Sequence, residues 1–193
     1  MNAANLNEDG LLVSAPDSIY TFSGRFIRPL DPDPEDIFIS DIAHALGNQC
    51  RWTGHVSSFY SVAEHSVHVA ACVPQKLRLT ALLHDASEAY LTDLARPIKK
   101  APGLGELYHE AEARLEAAIA DRFDIYNGPL SHSPIKQADE WMLWREAQCL
   151  LPGLVLPQAP EGCPMPQCWS PRMATEMFHE AFREYGGRYT HGS

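Results

Sequence analysis

Apolar and polar positions along the chain fall largely into helical spacing, and the exceptions gather near its beginning. Residues 1 to about 18 are polar and aperiodic, which predicts a loose arm. From Ile19 to Phe38, alternating and aromatic positions surround Gly24 and are followed by PLDPDPED. That stretch predicts one or two short strands, because closely spaced prolines lack the N–H groups a helix needs.

Beyond it the period lengthens. Ser40 is a suitable N-cap for a helix over Asp41–Leu46, with Gly47 placed to end it. A second helix is expected from Val62 to Cys72. A third starts near Pro74 or Gln75, runs through His84-Asp85 and dissolves between Tyr90 and Pro97. These two read as an antiparallel pair with a short connection. Leu104 to Phe123 is the clearest amphipathic segment, with Leu107, Ala111, Leu115, Ala118 and Ile119 on one stripe, suited to a core or a subunit contact. Ser133-Pro134 opens another helix reaching Leu150, a proline-rich irregular passage follows, and a last helix spans Met173 to Tyr185. The expected fold is mainly α, a single domain over residues 19–193 with a minor N-terminal strand element.

Composition narrows the functional classes. A chain of 193 residues with 45% apolar content has room for one ordinary core. No apolar run approaches the roughly eighteen residues of a membrane span, and MNAANLNEDGLLVS lacks the regions of a signal peptide. A cytoplasmic protein is therefore expected. The net charge of −10 repels a polyanion and argues against nucleic acid as partner. Five cysteines with no CxxC spacing argue against a disulfide framework and a zinc ribbon.

The chemistry concentrates around ALLHDASEAY. His84 and Asp85 sit in a run whose pattern implies burial, and buried ionisable groups are costly unless they are hydrogen-bonded or ligate a cation. On the dipeptide alone, a hydrogen-bonded core histidine beside a capping aspartate is the favoured reading. His65 in VAEHSVHVA and Asp139 in KQADEW add a second imidazole and a second carboxylate from two further helices. Together the four make a suitable shell for one divalent ion, whether Mn, Co, Fe, Zn, Ni or Mg.

The pattern His65, His84-Asp85, Asp139 resembles the motif of the HD-domain metal-dependent phosphohydrolases. The strings YSVAEHS and LLHDASEAYLTDLARPIK narrow the resemblance to the small 5′-deoxynucleotidase-type branch, which includes phage-type deoxynucleoside triphosphohydrolases. The resemblance covers residues 37 to 150. It implies an HD-type helical bundle in which His65, His84, Asp85 and Asp139 hold the metal. It further implies that Glu88 and Asp93 act as catalytic acids on water and leaving oxygen, that Arg51 and Lys99 meet phosphate, and that the Trp52 indole offers a face to the base. Glu88 lies four residues after His84, which predicts a shared helix face. Family members assemble, so a homo-oligomer is implied too.

Other residues are set aside. His68 departs from the family motif and reads as a neighbour of the shell or a surface residue. His55 lies near the expected pocket, His44 reads as packed, and Arg96 and Lys100 are weaker phosphate candidates. Cys163 and Cys168 lack further metal-binding partners, and His109, His132, His179 and His191 belong to no constellation. The function expected is hydrolysis of a small nucleotide, as monophosphate or triphosphate. The alternatives are a non-catalytic nucleotide sensor on the same fold and a phosphohydrolase for another phosphate ester.

Overall fold

Residues 16–125 and 133–188 are described by a computed structural model. The expected N-terminal arm falls outside them except for positions 16–18, as do His132 and His191. The first described elements are β1 (Ile19–Tyr20) and β2 (Phe26–Ile27), paired antiparallel with Ile19 opposite Ile27. Gly24, at φ 80°, turns the chain between them in a conformation open to glycine without strain. The Ser23 backbone N–H and hydroxyl donate to the Asp41 carboxylate at 2.6 and 2.8 Å, which ties the hairpin to the helical body. The proline stretch makes one 3-10 turn, Pro34–Asp36, departing from the helix-free expectation. Pro34 takes the first position of that turn, where its missing N–H is harmless.

The first helix, α1 (Ile39–Asn48), begins before Ser40 and continues through Gly47, correcting both expected ends. Gly47 is buried where α1 meets the C-terminal helix. A Cβ there would collide with the Thr175 hydroxyl, so the glycine serves close approach rather than termination. Next, α2 (Val62–Ala71) opens on Ser61, whose hydroxyl accepts the Glu64 N–H at 3.0 Å.

The following segment differs from the single helix its apolar pattern predicts. A 3-10 turn (Gln75–Leu77) leads into α3 (Arg78–Leu82), turns occupy residues 83–87, and α4 covers Glu88–Leu91. His84-Asp85 therefore sits in a helix break. The cause is local: the His84 ring Nδ1 donates to the Ala81 carbonyl at 2.8 Å, competing for an acceptor that a helix would give to the backbone. Glu88 and His84 accordingly do not share one continuous helix face.

Four further helices complete the described architecture: α5 (Arg96–Lys99), α6 (Leu104–Arg122), α7 (Ser133–Leu150) and α8 (Pro171–Glu184). α8 lies against α1, α2 and α3, and α2 also meets α7. The core between them includes Ile42, Leu46, Leu82, Leu115, Ile119, Phe178 and Phe182, all without solvent exposure. Each such side chain contributes roughly 2–3 kcal/mol through burial. The α6 stripe joins this core through Ala111, Leu115, Ala118 and Ile119, but Leu107 stands 67% exposed and leaves the expected stripe. The passage between α7 and α8 is irregular, as its prolines predict. It is anchored by Glu64, whose carboxylate accepts backbone N–H groups of Gln167, Cys168 and Trp169 at 2.6, 3.0 and 2.7 Å. Among the described residues, no helix is long and apolar enough to cross a membrane.

Candidate metal centre

α2 delivers His65, the break after α3 delivers His84 and Asp85, and α7 delivers Asp139. Ligand atoms of His65, His84 and Asp139 all lie within 4.8 Å of one another. The His65 Nε2 stands 3.1 Å from Asp139 Oδ1 and 3.6 Å from Asp85 Oδ2, and the His84 Nε2 stands 3.1 Å from Asp85 Oδ2. Both Nε2 atoms are buried and neither makes a hydrogen bond. Their opposite ring nitrogens are committed: His84 Nδ1 to the Ala81 carbonyl, and His65 Nδ1 to Glu146 Oε1 at 2.5 Å. Acceptors at Nδ1 fix that nitrogen as a donor, so each Nε2 is the ring atom left to face the carboxylates and to take a cation. The triad His65, His84 and Asp139 thus fits one divalent cation, with the Asp85 carboxylate beside both imidazoles.

Charge points the same way. Although burial and Arg51 disfavour a proton on His65, Glu146 and Asp139 outweigh them and hold its imidazole up to about 9. Burial would raise Asp85, yet His84, His65 and Arg51 hold its carboxyl well below the usual range. Asp139 is lowered in the same way by His65 and His84 against its own burial. The cluster draws positive charge.

A pocket of about 350 Å³ opens over this cluster. Arg51, Trp52, Asp85, Glu88, Asp93, Lys99 and Asp139 all contribute to its wall, so the structure brings together the residues singled out from sequence. Burial, with Asp85 and Asp93 nearby, pushes the Glu88 carboxyl up to about 8. Its Oε1 accepts from Lys99 Nζ at 3.2 Å while its Oε2 is buried without a partner. Lys99 also donates to Glu112 at 3.2 Å, so its ammonium is held between two carboxylates. Arg96 joins the wall with its guanidinium 3.9 Å from Asp139. One rim carries non-glycine residues with left-handed φ, Trp52 and Thr53 at 56° and 53°, and Thr92, next in sequence to the wall residue Asp93, stands at 66°. Strain of this kind persists where surrounding contacts impose it.

Two residues escaped the sequence reading. Glu146 is fully buried on α7, and beyond His65 its Oε2 accepts Arg51 Nε and Trp52 Nε1, each at 3.1 Å. Its signal was a carboxylate two helical turns after Asp139, on the same face and amid apolar neighbours. Gln49 donates to the Glu88 carbonyl at 2.9 Å and accepts the Asp93 N–H at 3.2 Å, fixing the backbone on which both acids stand; nothing in its sequence context marks it.

The set-aside residues also find places. His68 is buried, not a surface residue. Its Nδ1 lies 3.2 Å from the Tyr60 hydroxyl and its ring packs on Trp169. His44 stacks on Phe22 with centroids 3.8 Å apart, and His55 is exposed. Cys163 meets Cys72 beside the core rather than a metal cluster.

Such a helical domain, with imidazoles and carboxylates gathered beneath one pocket, has relatives of similar sequence. No family model matches the chain. It is 40% identical over 132 residues to the uncharacterized protein YfdR of Escherichia coli K12, covering 68% of this chain and 71% of that protein. It is 43% identical over 125 residues to an uncharacterized protein of Rhodobacter capsulatus, covering 60% and 62%. The chain belongs to the YfdR family.

Proposed function

We propose that this protein is a metal-dependent phosphohydrolase acting on a small nucleotide, a deoxynucleotide by the resemblance of its motif. The observation that carries this reading is the pair of buried, hydrogen-bond-free imidazole Nε2 atoms. They face two carboxylates beneath a pocket that also holds an arginine and an acid, Glu88, with one buried oxygen left without a partner. His65, His84, Asp85 and Asp139 would hold the divalent ion, which when bound supplies Lewis acidity and lowers the pKa of water.

The protein's own residues supply the rest. Arg51 is kept charged by Glu146 and Asp85 against its burial, and it balances charge on the phosphoryl oxygens. Asp93 orients the attacking water and accepts its proton. Glu88, protonated near neutral pH and with Oε2 free, donates a proton to the departing oxygen as the P–O bond to the nucleoside breaks. Trp52 presents its ring to the base. A monophosphate would give nucleoside and phosphate, and a triphosphate attacked at its α-phosphorus would give nucleoside and triphosphate.

The test is chromatographic product analysis with Mn²⁺ or Co²⁺ against ribo- and deoxynucleoside mono- and triphosphates, beside His84→Ala. Metal-dependent release of nucleoside by the wild type alone is expected. Metal binding with no turnover of any nucleotide would overturn the enzyme reading in favour of a sensor.

A further inference from the structure

One carboxylate stands behind both halves of the site. Glu146 is fully buried and belongs neither to the cation cluster nor to the pocket wall. Its Oε1 takes the His65 Nδ1 proton, and its Oε2 takes Arg51 Nε and Trp52 Nε1. His65 is a cation ligand on α2, whereas Arg51 and Trp52 precede α2 on the strained turn that forms one rim of the pocket. These three donors reach the carboxylate from two separate stretches of chain, and the buried Tyr60 hydroxyl faces it as well.

Resting on the metal-site reading above, we infer that Glu146 is a positioning residue that couples cation binding to the Arg51–Trp52 rim. A cation on His65 Nε2 withdraws electron density from the ring and makes Nδ1–H a stronger donor. That tightens the bond to Oε1 and fixes the carboxylate whose other oxygen seats the guanidinium and the indole. The coupling is reciprocal: a ligand that orders Arg51 and Trp52 steadies Glu146 and raises cation affinity by the same factor.

The chemistry of the carboxylate makes this demanding. His65, Arg51 and Trp52 all donate, so both oxygens must accept, and only a carboxylate offers two acceptor ends. In Glu146→Gln the amide oxygen serves one side, and the NH₂ faces donors on the other. Glu146→Asp keeps both acceptors but draws them back by one methylene.

Isothermal titration of the metal-free full chain with Mn²⁺, together with its tryptophan fluorescence, tests the inference. The wild type is expected to bind Mn²⁺ with a fluorescence change that disappears in Trp52→Phe. Glu146→Gln is expected to bind Mn²⁺ about 10–100-fold more weakly and to lose the Trp52 signal, with Glu146→Asp intermediate. Should Glu146→Gln fail to fold, Glu146→Asp carries the test alone. Unchanged affinity and an unchanged Trp52 signal in the folded variants would overturn the inference while leaving the metal site standing. Absence of Mn²⁺ binding by the wild type would overturn both.

Discussion

Glu64 and His65 are neighbours on α2, both fully buried, and they do opposite things. Glu64 spends its oxygens on three backbone N–H groups of the passage between α7 and α8, whereas His65 keeps a buried Nε2 without a hydrogen bond beside two carboxylates. A buried polar group whose capacity is filled acts as an anchor, and its energy goes into holding the chain. A buried polar group with one atom left over, facing like-minded neighbours, is a place for a ligand. The difference separates the structural side of α2, which carries Glu64 and His68, from its chemical side.

Substitutions on the two sides should break in different observables. The largest effect is expected on the chemical side: His84→Ala should lower metal-dependent turnover by about 10³-fold or more. It should shift the melting temperature of the metal-free chain less than a change at Glu64 does. On the structural side, Glu64→Gln places an amide NH₂ against backbone donors and should cost about 2–4 kcal/mol in chemical denaturation, with cation affinity retained. If Glu64→Gln abolished cation binding in a folded protein, the division of α2 into two sides would fail.

A smaller effect concerns pH. Burial lowers His68 from 6.5 to about 4. Between those values the unfolded chain takes up a proton that the folded chain refuses, so this contribution favours folding fully above about pH 6.5 and is lost as pH falls towards 4. Its size is about 3 kcal/mol, and it should show as a pH-dependent difference in stability between wild type and His68→Leu in denaturation curves across that range. The smallest change is Ser61→Ala, which removes the α2 cap and should cost about 1 kcal/mol by the same measurement.

Much of this division was written in the sequence, though unevenly. His65, His84-Asp85 and Asp139 stood out because ionisable residues inside apolar helical runs need partners, and the motif they resemble tied them together. The lengths of α2, α6 and α7 followed from periodicity. The break over residues 83–87 did not, because its cause is a side chain capturing a backbone carbonyl while the apolar pattern runs on unbroken. Gly47 misled for a related reason: a helix-ending glycine and a close-packing glycine look alike until the opposing helix is in place. Glu146 was hidden because its meaning depends on which residues its helix face meets. Glu64 lay in plain sight within YSVAEHS, but its partners are backbone groups about a hundred positions away.

The central claim is that the unfilled imidazole atoms hold a cation. Elemental analysis by mass spectrometry, after the full chain is stripped with chelator, dialysed against Mn²⁺ or Co²⁺ and desalted, tests it most directly. A single retained ion per wild-type chain and none in His84→Ala is the expected result. Equal metal content in the two proteins, or none in either, would contradict it.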